Sequence, residues 1–148
     1  LESYALNHPA GSIGRKLLLT VRDVMRAGSD LSRVSIHSTV HAAVLELTRT
    51  GSGCVVVTEG VFLKGVFTDG DLRRLVADDR FDIRGAIENY ASKKPLYIQD
   101  ENMKLVDAER LFHSGSKSVS CLPVVRTRVE GIEVLGMLVL ADTMRALA

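Results

Sequence analysis

The chain has 148 residues, 46% of them apolar, and a formal net charge of +1. This length and apolar content suffice for one compact unit of ordinary size. The balanced charge argues against a nucleic-acid-binding surface, which needs a strong basic patch, and no apolar run approaches the ~20 residues that span a bilayer. Because the first residue is Leu rather than Met, we expect the chain to be a piece of a longer protein or a processed chain.

Cysteine and histidine usage predicts structural rather than metal-binding roles. Cys54 and Cys121 each fall inside a predicted buried strand, where free Cys often behaves as a small hydrophobe. Residues 1–12 lack the basic start and apolar core of a secretory leader, so we predict a reducing, cytoplasmic location. No metal site is predicted, because zinc-like spacing is absent among the later histidines, His37, His41 and His113.

The first half of the chain predicts the order strand, helix, strand, strand, helix. Before it, Pro and Gly content predicts a loop at residues 8–16, followed by a short helical turn at residues 21–25. Apolar spacing and Thr39 as a candidate N-cap place the five elements. They are a strand at 34–36, a helix from 40 to Gly51, strands at 54–58 and 62–67, and a helix at 69–77.

The second half predicts the same order again. A short helix is expected first, at residues 83–91. Then come a strand at 96–98, a helix at 103–112, strands at 121–125 and 134–140, and a closing helix at 141–148. A charged, solvated hairpin is predicted at residues 126–133, between the last two strands.

These two halves repeat at the level of residues. Gly65-Val66-Phe67 corresponds to Gly136-Met137-Leu138, and Asp71 corresponds to Asp142. An internal repeat of one supersecondary unit is the strongest organisational signal in the sequence. One such unit is too small to bury its own sheet face, so we predict a single pseudo-symmetric domain of mixed α/β (α+β) class.

The junction after the last strand of the first half is the strongest candidate site. Thr68 follows the strand, and Asp71 lies in the first turn of the helix that comes next. Thr68 could meet a phosphate or hydroxyl, and an ionised Asp71 could accept both hydroxyls of a ribose. The same two residues also fit a capping box worth ~1 kcal/mol of helix stability, and the sequence leaves both interpretations open.

Each repeat resembles a CBS domain, and the pair resembles a Bateman module, the tandem form that binds nucleotides between its repeats. The ligand-contacting pattern Gly-h-x-[Ser/Thr]-x-x-Asp, where h is apolar, is intact from Gly65 to Asp71. In the second repeat Val139 replaces the hydroxyl residue, which removes the phosphate-side partner but leaves Asp142. The resemblance implies β-α-β-β-α repeats with pseudo-two-fold symmetry and ligand-binding roles for Thr68, Asp69, Asp71, Arg73, Val57 and Asp142. Arg73 could equally belong to the polar face of its helix, and Val57 to the core.

The residues before the first repeat indicate a more specific family. Residues 8–18 and 21–25, together with residues 67–74, are similar to the joint and first repeat of D-arabinose 5-phosphate isomerases, which carry a sugar isomerase (SIS) domain before the CBS pair. The expected organisation is a linker at 1–20, repeat 1 at 21–80 and repeat 2 at 81–148. The resemblance implies a parent that interconverts ribulose 5-phosphate and arabinose 5-phosphate, on the route to Kdo and lipopolysaccharide.

Catalysis is not expected from this piece alone. The resemblance implies that His8 reaches the active site of the SIS domain in the parent, and the alternative is that His8 anchors a linker loop. Isomerisation needs a general base and acid, and no second such group accompanies His8. We therefore expect no required cofactor and no activity in this chain.

Three hypotheses follow for the role of the pair. The first is a regulatory module that binds an adenine or cytidine nucleotide or a nucleotide-sugar such as CMP-Kdo. The second is a ligand-free scaffold, dimerising through CBS pairs within a tetrameric parent. The third is a free-standing CBS protein that regulates a partner in trans. None of the three involves nucleic acid or a membrane.

Overall fold

The computed structural model describes residues 9–79, 81–116 and 118–148, and these contain six α-helices and five β-strands. The helices, in chain order, are Pro9–Leu18 (α1), Val21–Val24 (α2), Val40–Thr50 (α3), Asp69–Val76 (α4), Leu105–Leu111 (α5) and Leu140–Leu147 (α6). The strands are Arg33–Ser35 (β1), Cys54–Glu59 (β2), Phe62–Thr68 (β3), Cys121–Arg128 (β4) and Gly131–Val139 (β5). No helix in the described part of the chain is long and apolar enough to cross a membrane.

The strands form one sheet in the order β1-β2-β3-β5-β4. Strand β1 runs parallel to β2, and the other neighbours are antiparallel. Within the sheet, the two halves are joined where β3 pairs with β5, at Phe62 and Glu133. This arrangement confirms the predicted α/β (α+β) class.

Alternation along the strands divides the apolar residues between two layers. In β2, Val55 and Val57 pack against the buried face of α3, together with Phe67 of β3. Their neighbours Cys54 and Val56 point the other way, into a layer shared by both halves. Successive strand residues face opposite sides of a sheet, so the buried residues 54–58 of β2 contribute to both layers. The shared layer comprises Leu31, Cys54, Val56, Val66, Cys121, Val134, Met137 and Val139.

The segment that leads into each half packs on the other half. Residues 19–26 and residues 83–92 are the two leading segments. Val21 is fully buried in the core of the second half, and Ile87 is fully buried in the core of the first. The backbone hydrogen bonds repeat this exchange: Val40 N–H donates to the Gly85 carbonyl, and Leu105 N–H donates to the Leu19 carbonyl. The predicted pseudo-two-fold relation is therefore built from crossed segments.

Two glycines make the crossing possible. Arg26 exchanges both backbone hydrogen bonds with Met137, and Ser92 does the same with Val66. A Cβ at Gly136 would lie 2.6 Å from the Arg26 carbonyl oxygen. A Cβ at Gly65 would lie 2.9 Å from that of Ser92. The glycine of the repeated motif is required because another backbone passes directly over it.

The structure corrects the loop predicted at residues 8–16. Residues 9–16 belong to α1, which packs against α5, while His8 lies outside the described residues. Proline is accepted at the first helical position, where its missing N–H would have had no partner. Glycine inside a helix costs only about 1 kcal/mol, a penalty that tertiary contact overcomes.

The start of the second half also differs from prediction. Residues 83–91 form only a 3₁₀ turn at Ile87–Asn89, because the carbonyls of Ile83 and Gly85 accept hydrogen bonds from the first N–H groups of α3. The predicted strand at 96–98 is reduced to a parallel bridge between Ile98 and Val124. The ladder cannot continue toward residue 96, because Pro123 has no N–H to donate.

The predicted hairpin at residues 126–133 is present, but most of it is strand. Strand β4 runs to Arg128 and β5 starts at Gly131, so the turn itself has two residues. Of its charges, Arg126 and Arg128 both lie within 4 Å of Glu133.

Candidate ligand site

A cleft of about 590 Å³ opens at the N-terminus of α4 and has walls from both halves of the chain. Thr68 and Asp71 lie on the first-half wall, as do two further predicted residues, Asp69 and Arg73. The opposite wall is formed by the loop before β4 and the start of that strand: Ser118, Val119, Ser120, Cys121 and Pro123. We call this cavity the first cleft.

Thr68 and Asp71 form a complete capping box. Asp71 N–H donates to Thr68 Oγ1 at 3.1 Å, and Thr68 N–H donates to Asp71 Oδ2 at 2.9 Å. The other carboxylate oxygen, Asp71 Oδ1, accepts from Arg74 Nη2 at 2.5 Å. The side chain of Arg74 is 72% exposed, against 21% for Asp71. The capping interpretation is therefore confirmed, and an exposed guanidinium covers the second carboxylate oxygen.

The remaining predicted site residues are not all brought together. Arg73 is exposed on the cleft wall, and Asp69 N–H donates to the Gly53 carbonyl at 3.0 Å, which fixes the start of α4 against the loop before β2. Val57 is 1% exposed within the first-half core and does not line the cleft. Asp142 lies in the second half, at the start of α6.

Loss of the Thr68 cap has a measurable cost. Thr68→Ala is expected to lower the free energy of unfolding by about 1 kcal/mol, because Asp71 N–H loses its side-chain acceptor. Thr68→Ser keeps the hydroxyl and should retain most of that stability. Urea denaturation at neutral pH measures both variants. Equal losses in the two would show that the methyl group, rather than the cap, carries the contribution.

The second copy of the motif is organised differently. Val139 at the N-cap of α6 makes no side-chain cap bond. Asp142 is held by Arg26, whose Nε and Nη2 donate to its two carboxylate oxygens at 2.7 and 3.1 Å. A third bond runs from Arg26 Nη1 to the carbonyl of Thr50, the last residue of α3, at 2.9 Å. We call the region of Arg26, Val139 and Asp142 the second site.

Sequence reasoning missed Arg26. It lies 116 positions from Asp142, and no local pattern connects a cation in one leading segment with a carboxylate near the other end of the chain. The available signal was the repeat itself, because aligning the two leading segments places Arg26 opposite Ser92.

The Arg26–Asp142 pair predicts a defined pH dependence. Hydrogen bonds from Arg26 lower the pKa of Asp142 below its ordinary value. The carboxylate therefore stabilises the fold fully above the unfolded-state pKa of about 4, and this contribution is lost as pH falls through the lower folded-state pKa. Relative to wild type, Asp142→Asn should lose about 2 kcal/mol at pH 7. Urea denaturation from pH 7 to pH 3 should show this difference shrinking below about pH 4, and a constant difference would contradict the ion-pair origin.

The two cysteines are buried, and His113 is exposed. Cys54 and Cys121 are free and buried in the shared layer. The adjacent Cys121 sulfur, together with burial, raises the pKa of the Cys54 thiol. His113 lies 3.4 Å from Glu109 on the surface of α5. Within residues 9–79, 81–116 and 118–148, no three His, Cys, Asp or Glu side chains are grouped to hold a metal ion.

Comparison with known proteins agrees with this architecture. The family model described as CBS domain matches residues 21–78 and again residues 87–148. The chain belongs to the CBS domain family. Its two CBS repeats correspond to the two halves of the sheet.

The CBS pair is similar to part of a curated enzyme. It is 33% identical over 144 residues to the arabinose 5-phosphate isomerase KdsD of Francisella tularensis, covering 97% of this chain and 42% of that protein. It is 36% identical over 147 residues to KdsD of Yersinia pestis, covering 98% of this chain and again 42% of the relative. The chain thus spans about two fifths of the length of these relatives.

A solved CBS structure supports the fold and provides a ligand for comparison. The structure of CBSX2 in complex with AMP matches with a TM-score of 0.69 and 25% identity, over 86% of this chain and 94% of that chain. Hypoxic Response Protein I, with two coordinated zinc ions, matches with a TM-score of 0.69 at 23% identity, over 88% of this chain and 100% of that chain. The second likeness bears on the fold alone.

Proposed function

We propose that the chain is the regulatory pair of an arabinose 5-phosphate isomerase and binds a nucleotide or nucleotide-sugar in the first cleft. The observation that carries this proposal is the convergence of Thr68, Asp71 and Arg73 on one cavity between the two repeats. The complex of CBSX2 with AMP supports it, because that related fold takes a nucleotide.

The chemistry of the first cleft suits a phosphorylated ribose. The N-terminus of α4 and the Arg73 guanidinium favour an anionic phosphate. The Asp71 carboxylate can accept hydrogen bonds from ribose hydroxyls. To do so, it must exchange Arg74 for the ligand. That exchange costs little, because a surface ion pair contributes only about 0–1 kcal/mol and Arg74 is highly exposed.

In the parent protein, the SIS domain catalyses the isomerisation, and the CBS pair regulates the activity of that domain. Ligand binding between the repeats would favour one arrangement of the two halves and so bias the attached catalytic domain. CMP-Kdo, the activated end product of the same route, would make a feedback signal. The division into a linker at 1–20 and repeats at 21–80 and 81–148, the contribution of His8 and assembly into a tetramer belong to the same proposal.

A thermal-shift panel tests ligand binding directly. AMP, ATP, CMP, CTP, S-adenosylmethionine and CMP-Kdo are each added to wild type, Asp71→Asn and the control Asp107→Asn, which alters a carboxylate on α5, away from the cleft. A ligand at ~100 times its Kd adds about 2.7 kcal/mol of stability, which raises the Tm by about 8 °C. We expect one ligand to shift wild type and the control but not Asp71→Asn. A flat panel, or a shift that survives Asp71→Asn, would overturn the proposed site.

A scaffold is the second candidate function. The complete capping box at Thr68–Asp71 gives those residues a structural role without any ligand. Val76 on α4 and Met144 on α6 are 66% and 53% exposed, and they offer apolar contact area on the closing helices of the two halves. A flat panel together with a stable dimer in analytical ultracentrifugation would favour this function.

A further inference from the structure

The side chain of Arg26 lies where a ligand of the second site would have to bind. Its guanidinium forms a bidentate pair with Asp142, the carboxylate equivalent to Asp71. The same side chain reaches across to the C-terminal end of α3 in the first half. Arg26 and Asp142 are 25% and 14% exposed, so this pair is far less accessible than the Arg74–Asp71 pair.

The backbone shows that Arg26 and Ser92 are equivalent positions. Arg26 exchanges two backbone hydrogen bonds with Met137, and Ser92 exchanges two with Val66, at the corresponding places on β5 and β3. Ser92 lines the first cleft. At this pair of positions the two sites differ in one respect: the hydroxymethyl group of Ser92 leaves the first cleft open, whereas the guanidinium of Arg26 occupies the second site.

We propose that the Arg26 side chain occupies the position of a ligand at the second site, so that the CBS pair binds one nucleotide rather than two. This inference rests on the proposed function for the class of ligand, but it concerns a different set of residues. Arg26 excludes the nucleotide by holding Asp142, and Val139 adds to the exclusion because it supplies no hydroxyl to a phosphate.

Displacing Arg26 is much harder than displacing Arg74. A ligand at the second site must break two charged hydrogen bonds to Asp142 and one to the Thr50 carbonyl. Hydrogen bonds to charged groups are the stronger ones in proteins. We expect nucleotide affinity at the second site to be at least roughly a hundredfold below that of the first cleft.

The test replaces two residues of the second site, Arg26 and Val139, with those at the equivalent positions of the first site. Arg26→Ser and Val139→Thr are combined in an Asp71→Asn background, which removes the first cleft from the measurement. Isothermal titration calorimetry with AMP, CMP and CMP-Kdo as probes is applied to wild type, to Asp71→Asn and to the rebuilt chain. Adding Asp142→Asn to the rebuilt chain provides the matched control. Circular dichroism and thermal unfolding report whether each variant is folded.

Wild type is expected to bind one equivalent and Asp71→Asn none. The rebuilt chain should regain one equivalent and should lose it with Asp142→Asn. A wild-type stoichiometry of two would overturn the inference, as would a folded rebuilt chain that binds no probe. If the rebuilt chain unfolds, Arg26→Gln replaces Arg26→Ser, with Val139→Thr and Asp71→Asn retained, and the same gain and the same contrary result apply. If the rebuilt chain binds a probe and wild type does not, the proposed function of the first cleft is contradicted. The proposed role of Arg26 is still supported by that result.

Discussion

Gly136→Ala is expected to destabilise the fold by about 3 kcal/mol and to lower the Tm by about 9 °C. The added Cβ would lie 2.6 Å from the Arg26 carbonyl oxygen and 2.9 Å from Met25 Sδ. The sulfur can rotate away, but the carbonyl is fixed by its hydrogen bond to Met137 N–H. The crossing segment must therefore move, and the hydrogen bonds on both sides of it are strained. Differential scanning calorimetry or urea denaturation measures the loss.

Substitutions at two other glycines provide comparisons for the stability loss of Gly136→Ala. Gly65→Ala places a Cβ 2.9 Å from the Ser92 carbonyl oxygen, so a smaller loss of the same kind is expected. A Cβ added at Gly14, inside α1, would meet no atom within 4 Å, and Gly14→Ala should be neutral or stabilising by up to about 1 kcal/mol. If Gly136→Ala were as stable as Gly14→Ala, the two leading segments could not cross as closely as described.

Ser92→Arg should close the first cleft. The new side chain starts from the position equivalent to Arg26 and can reach Asp71 as Arg26 reaches Asp142. We expect nucleotide affinity to fall by roughly a hundredfold or more, since the ligand must now compete with a bidentate guanidinium. Unfolding free energy should stay the same or rise, because the substitution adds an ion pair. Calorimetric titration and urea denaturation on the same samples separate the two effects.

The matched control for Ser92→Arg is Ser92→Gln, which adds a long polar side chain without a charge. Weakened binding in Ser92→Arg but not in Ser92→Gln would show that pairing with Asp71 closes the cleft. Equal losses in both would instead point to steric filling alone. An Arg variant that binds as tightly as wild type would mean that Ser92 is not the open counterpart of Arg26.

Local signals in the sequence were sufficient for the class of fold and for the first copy of the motif. Thr39 was predicted as an N-cap, and its hydroxyl accepts from Ala42 N–H at 3.2 Å. The hydroxyl and carboxylate of residues 68–71 act within one strand-to-helix junction, so their spacing predicted the capping box as one of two interpretations, and the structure shows its hydrogen bonds. Period-2 and period-3.6 patterns identified most strands and helices for the same reason.

Features that depend on distant partners could not be predicted. The strand at 96–98 is cut short by Pro123 on a later strand, and α1 is stabilised by contact with α5. Val57 and Val56 are alike in sequence, and only the orientation of the sheet decides which faces α3 and which faces the other half. The Arg26–Asp142 pair depends on the crossing of the leading segments, a property of the whole fold.

That crossing also constrains the timing of folding during synthesis. Val21 is completely buried, yet its hydrogen-bond partner is the carbonyl of Met103, and the neighbouring Arg26 is paired with Met137. At about 5–20 residues per second, a ribosome needs roughly 6–22 s to go from Arg26 to Met137. Throughout that interval the first leading segment exposes apolar surface that no part of the nascent first half can cover. The earliest part of the pair to be made is thus among the last to be protected, which makes it the segment where chaperone binding is expected.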